Sequence, residues 1–192
     1  TDLKYYEYVK KLIKEIIGKD VTIKFRKDCN GIFIVFQKKE FSNFLHYSLK
    51  FPYGKKTFAK LEIPEIFLND KFLLRFLLRG FFDTDGCIYF TKNNSKIRNY
   101  PIIELSNHNV EFLNCLKHAL ESLGFKPIFS HYCDSLKLHG KKNLRLWMKQ
   151  IGSSNIDKFS KYQFWEKFGY CPKVESMSLY ERLRKIGEPS RI

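Results

Sequence analysis

Two carboxylates, Asp83 and Asp85, stand two residues apart in the run Asp83-Thr84-Asp85-Gly86, directly behind the apolar stretch Phe72 to Phe82. A carboxylate at the C-terminal end of a helix meets the negative end of the backbone dipole, so two aspartates there are unfavourable for stability alone. Residues that break a local rule are expected where function asks for them, and for closely spaced carboxylates the chemistry is the binding of a divalent cation. An Asp-x-Asp pair alone also fits a metal-dependent transferase or a calcium loop, and an Asp-Gly pair alone fits a simple turn. No nucleotide-binding pattern accompanies this one.

The element that presents the carboxylates is a helix over residues 71–86. Asn69 or Asp70 can cap it ahead of Lys71, and from Phe72 to Phe82 it is apolar almost all round, with Arg75 and Arg79 forming a narrow polar stripe. Such a helix asks for burial on two sides. Leu73, Leu77 and Gly80 share one face, and Gly80 would let a second backbone approach closely there. Without the aspartates, the plainest reading is the central core helix of an ordinary monomer.

Around it the chain shows an order that recurs. Leu3, Tyr6, Val9, Leu12, Ile13, Ile16 and Ile17 have helical spacing and Gly18 stops them. Alternation over Val21 to Phe25 and Ile32 to Phe36 predicts a hairpin turning at Asn30-Gly31, and Lys39 to Tyr47 a short helix. A helix ending at Gly124, strands near 126–132 and 135–139, and a helix near 143–150 repeat that order about a hundred residues on. Between the copies lie the acidic helix and a hairpin, Cys87 to Thr91 and Ile97 to Ser106. The tail holds Tyr162 to Phe168 and a last helix from Ser178, where Ser178 and Glu181 have capping-box spacing. The organisation expected is a first repeat over 1–68, a second over 69–159 and a helical tail over 160–192.

Thirty-five Lys and Arg against twenty Asp and Glu give a formal charge of +15 over 192 residues, which attracts polyanions, nucleic acid first among them. Five cysteines at irregular gaps, none in a CxxC pair, argue against zinc and against a disulfide framework, and a reducing cytoplasm fits. The longest apolar run is too short and too charged to span a bilayer.

Taken together, the apolar helix, Gly80 at the third motif position and the terminal Asp83-Thr84-Asp85-Gly86 resemble the LAGLIDADG signature, in the form typical of archaeal intron- and intein-associated homing endonucleases. The resemblance runs from about Leu3 to the C-terminus and includes the tail around Phe164-Trp165-Glu166-Lys167-Phe168-Gly169-Tyr170-Cys171-Pro172. It implies an α+β fold with an antiparallel β-saddle, helices packed on one face and two pseudo-repeats. It also implies a site-specific endonuclease that hydrolyses double-stranded DNA. In such proteins two motif helices pair and the last acidic residue of each binds Mg²⁺ (or Mn²⁺). Asp85 holds that position, with the Thr84 carbonyl as a further metal ligand and Asp83 ordering the helix end. Basic residues near the metals correspond to Lys158, with Lys161 as fallback, and by the internal repeat to Lys56. Base-reading strand positions correspond to Thr22, Lys24 and Arg26 in one copy and to Arg98, Tyr100, Lys137 and His139 in the other. The alternative within the family is a non-catalytic nucleic-acid binder or an RNA maturase.

One part of the pattern is missing: nothing resembling a motif helix precedes the repeat that begins at Leu3. Either an N-terminal segment of about forty residues belongs ahead of it, as the absence of a starting methionine favours, or a homodimer partner supplies the second helix across Leu73, Leu77 and Gly80. Arg79 stands where the family consensus has a small residue.

Overall fold

The computed structural model describes residues 3–25, 32–35, 38–53, 61–173 and 176–187. They belong to two compact units, Thr1–Gly54 and Lys55–Ile192. The second unit therefore takes in the segment 55–68 that the sequence pattern groups with the first repeat. Its short helix α3 (Glu65–Leu68) packs on the helix that follows.

In the first unit, α1 (Leu3–Ile17) ends as its spacing predicts, with Gly18 at φ +74° donating its N–H to the Lys14 carbonyl. Strands β1 (Thr22–Phe25) and β2 (Ile32–Val35) pair antiparallel, Thr22 opposite Val35 and Phe25 opposite Ile32. The Asn30-Gly31 turn lies outside the described residues. Helix α2 (Lys39–Asn43) was expected to run to Tyr47; instead its winding widens into a π-helical turn, Phe44–Ser48. At that turn His46 Nδ1 lies 2.9 Å from the Phe51 carbonyl and its ring stacks 3.9 Å from that of Tyr53.

The second unit is built on the acidic helix α4 (Lys71–Asp85), capped by Asp70, whose carboxylate accepts from the N–H groups of Phe72 and Leu73. There follow β3 (Gly86–Thr91), β4 (Tyr100–Ser106), α5 (Val110–Ser122), β5 (Ile128–Phe129), β6 (Ser135–His139), α6 (Gly140–Gln150), α7 (Ile156–Phe168) and α8 (Leu179–Gly187). The strands form one antiparallel sheet in the order β3-β4-β6-β5. Fold class is α+β, with antiparallel sheets and helices, as the family resemblance implies.

Strand alternation divides the sheet into an inner and an outer face. Ile88, Phe90, Ile103, Leu105, Leu136 and Leu138 are buried on the inner face, where Ile103 sits opposite both Ile88 and Leu138. Leu74, Leu78 and Phe82 of α4 are also buried, and Phe82 lies 5.0 Å in ring separation from the fully buried Trp147. This apolar layer fixes the depth of α4, and so where its carboxylate end emerges.

Two strands are shorter than alternation suggests. The stretch 126–132 pairs only at Ile128–Phe129, because Pro127 has no N–H to give and Ser130 already turns the chain toward Asp134 with a 2.7 Å side-chain bond. The strand expected from Ile97 starts at Tyr100. The residues before it are held elsewhere: the Arg98 carbonyl accepts from Cys171 N–H and the Asn99 carbonyl from the Trp165 indole.

Candidate functional site

The last turn of α4 separates its two aspartates. Residues two apart on a helix point to different sides, and the pair here shares no environment. Asp83 is 3% exposed and its carboxylate is fully employed: Oδ1 accepts from Ser153 Oγ at 2.5 Å and Oδ2 from the Ser154 N–H at 2.8 Å. Asp85 is exposed, and among the described residues no side chain hydrogen-bonds to its carboxylate. Partial desolvation nonetheless pushes its pKa above the ordinary carboxylate value, against a downward pull from the nearby Lys158 ammonium.

The helix end is held from across the unit by the segment that leads into α7. Lys158 Nζ donates to the Phe82 and Asp83 carbonyls at 2.6 and 2.8 Å and lies over the Phe82 ring at 5.1 Å. A cation there adds a charged donor to helix-end carbonyls, of which the Phe82 one also accepts the Gly86 N–H, and meets the dipole with the favourable sign. Asn155 caps α7 through the N–H groups of Asp157 and Lys158, which fixes where Lys158 begins its reach. One turn earlier in α4, Arg79 donates its Nε–H to the Ile151 carbonyl at 2.5 Å. Arg79 is thereby tied to the α6–α7 connection, with its guanidinium 5.1 Å from the Phe76 ring centroid.

That face is open in the second unit. Leu73 and Leu77 are only half-buried, Phe72 and Phe76 are exposed, and a Cβ added at Gly80 would meet nothing within 4 Å. Gly86 is constrained differently: a Cβ there would come within 2.5 Å of the Phe82 ring, so it is close approach that demands glycine at the exit into β3.

Of the other residues singled out in the sequence, the Thr84 side chain is spent on the Gly80 and Phe81 carbonyls at 3.1 and 3.2 Å, within the helix. Lys161 is ion-paired with Asp157 at 2.9 Å, and Asp157 also holds the buried Arg182 of α8. Lys56 and Arg26 lie outside the described residues. Thr22 and Lys24 are exposed on β1 of the first unit. Tyr100, Lys137 and His139 come together on the outer face of the sheet, the Tyr100 and His139 rings 6.4 Å apart. Arg98 is not on that face; it precedes β4 and donates to the Phe90 carbonyl at 2.9 Å.

The outer face also holds residues that sequence reasoning passed over. Glu104 lies between Cys87 and Lys137 in register, accepts from Ser135 Oγ at 2.6 Å and pairs with Lys137 at 3.3 Å. Its position was available from the alternation that nominated Tyr100, four residues earlier on the same strand. Ser153, Ser154 and Asn155 had a weaker signal, a cluster of capping residue types ahead of a helix.

Residues 73–162, from inside α4 to inside α7, match the model of the LAGLIDADG-like domain. This part of the chain is a LAGLIDADG-like domain. Its limits enclose both aspartates, the outer sheet face and Lys158. Domains of this kind are typical of nucleases, and LAGLIDADG proteins bind DNA. The chain is also similar to a DNA polymerase of Methanocaldococcus jannaschii, 24% identical over 157 residues, which is 81% of this chain and 8% of that protein. The chain thus spans less than a tenth of that relative. No helix among the described residues is long and apolar enough to cross a membrane.

Proposed function

We propose that the chain acts as a site-specific double-strand DNA endonuclease of the homing type, with Asp85 as its metal-binding carboxylate. The observation that carries this reading is the division of labour at the end of α4: Asp83 is bound inside the protein, while Asp85 is held out, partly desolvated and without a hydrogen-bonding partner among the described residues. A carboxylate in that state gains from a cation.

No three His, Cys, Asp or Glu among the described residues cluster well enough to hold a metal ion. Asp85, with the Thr84 carbonyl, would hold Mg²⁺ or Mn²⁺ together with the aspartate of a second motif helix. That helix would pack against the open face of Leu73, Leu77 and Gly80, from a second copy or from a further segment of the polypeptide. When bound, such a metal activates water and neutralises charge developing on the phosphate.

The chain's own residues do the positioning. Lys158 closes the helix end and sets the field at Asp85, and Asp83 anchors that end to the Ser153-Ser154 turn. The outer sheet face, with Tyr100, Lys137 and His139, meets the major groove, and the charge of +15 attracts the duplex. The polymerase similarity supports an origin inside a host gene, since an endonuclease embedded in another protein would match only a small piece of it.

Incubating the purified chain with duplex spanning the uninterrupted host site, with and without Mg²⁺, tests the reading. Metal-dependent double-strand ends support it. Tight binding without cutting in any divalent metal supports the non-catalytic binder or maturase instead.

A further inference from the structure

Among the described strand residues of the second unit, one carboxylate occurs, and it stands near the centre of the outer sheet face. Glu104 of β4 lies in the cross-strand row Cys87, Glu104, Lys137, Ile128. In a protein of charge +15 this is an unusual place for an anion, since the face is the one proposed to meet a polyanion.

Its surroundings hold it still. Ser135, only 2% exposed, donates its hydroxyl to Oε1 at 2.6 Å, and Lys137 Nζ lies 3.3 Å from the same oxygen. The carboxylate raises the Tyr89 pKa, second to the desolvation of that side chain. Nineteen per cent of the Glu104 side chain remains open to solvent. A simple counter-charge for Lys137 would need only the ion pair. The buried Ser135 hydroxyl, from the flanking strand β6, does something else, which is to fix the direction in which the carboxylate points.

An ionised carboxylate only accepts, and of its roughly four lone-pair sites Ser135 and Lys137 leave some free. Phosphate oxygens offer it nothing. The donors that a duplex presents in the major groove are the amines of cytosine N4 and adenine N6, and the adenine amine sits beside the N7 acceptor, which a carboxylate would repel.

We propose that Glu104 is a specificity-determining residue that accepts a hydrogen bond from the N4 amine of one cytosine in the target duplex. The inference rests on the DNA-binding reading above. Lys137 then has two tasks, steadying Glu104 and offering the remaining donors to a neighbouring acceptor or phosphate.

The test is selection of bound duplex from a randomised pool by the full chain, sequenced for the wild type, Glu104→Gln, Glu104→Asp and Lys137→Met. The wild type should show a position where cytosine is favoured by roughly 10- to 100-fold, the range of a good base contact. Glu104→Gln, which adds a donor, and Glu104→Asp, which keeps the charge but falls short in reach, should each flatten that one position and leave the others within about 2-fold. Lys137→Met should weaken binding at all sequences and reduce the cytosine preference less than either Glu104 variant does. A sequence profile unchanged in both Glu104 variants, or weakened equally at every position, overturns the role of Glu104 while leaving DNA binding intact. Failure of the wild type to retain any duplex removes the DNA reading and this inference with it.

Discussion

The ammonium of Lys158 lies 2.8 Å from the carbonyl oxygen of Asp83, a hydrogen bond that closes the motif helix from a segment 75 positions further along the chain. The family resemblance cast Lys158 as a basic residue near the metals. The geometry gives it a prior task, holding the turn from which Asp85 projects.

Replacing Lys158 by Met removes both carbonyl bonds and leaves two helix-end carbonyls without that donor. Hydrogen bonds to charged groups contribute about 1.5–3 kcal/mol, so thermal unfolding of Lys158→Met should fall by several degrees. Lys158→Arg should recover part of the loss. An unchanged melting temperature in Lys158→Met would contradict the capping role.

The two aspartates should behave oppositely. Asp83→Asn loses charge-assisted bonds from Ser153 and Ser154 in a buried place and should destabilise the fold by about 1–3 kcal/mol. Asp85→Asn removes a partly desolvated charge and should leave the melting temperature equal or higher. Calorimetry of both variants in metal-free buffer checks the pair.

The pH dependence follows from the sign of the Asp85 shift. Its pKa is raised in the folded chain, so the native state holds the proton more tightly than the unfolded one, and stability falls as pH climbs from the ordinary carboxylate value through the raised one. The melting temperature of Asp85→Asn minus that of the wild type should therefore increase across that window. Mg²⁺ should narrow the gap at the upper end, where the carboxylate is ionised. A difference independent of pH would remove Asp85 from the account of that window.

Gly80 separates folding from assembly. A Cβ there meets nothing within 4 Å, so Gly80→Ala should stabilise the helix by about 0.5–1 kcal/mol. Gly80→Leu should also fold, yet block close approach of a second helix. Sedimentation and cleavage assays on Gly80→Leu, compared with Gly80→Ala, read that loss; full activity in Gly80→Leu would contradict the helix-pairing face.

Much of this was legible in the sequence because it is local. Asp70 capping α4, the apolar stretch to Phe82, the Ser178–Glu181 capping box and the alternation of β4 and β6 all depend on neighbours a few residues away. The different fates of Asp83 and Asp85 were half-legible, since a spacing of two on a helix already sends them to different sides. What the sequence could not show was which one faces inward, because the Ser153-Ser154 turn and Lys158 reach α4 through tertiary packing. Arg98 missed the outer face for the same reason: Cys171 and Trp165, far along the chain, hold its segment out of the strand.

The central claim is that Asp85, and with it a divalent metal, carries phosphodiester cleavage. Duplex containing the host site, incubated with wild type and with Asp85→Asn in Mg²⁺ and in chelator, tests it most directly by counting new double-strand ends. Wild type should give ends in Mg²⁺ and none in chelator. Cuts that form in chelator, or that persist undiminished in Asp85→Asn, would contradict it.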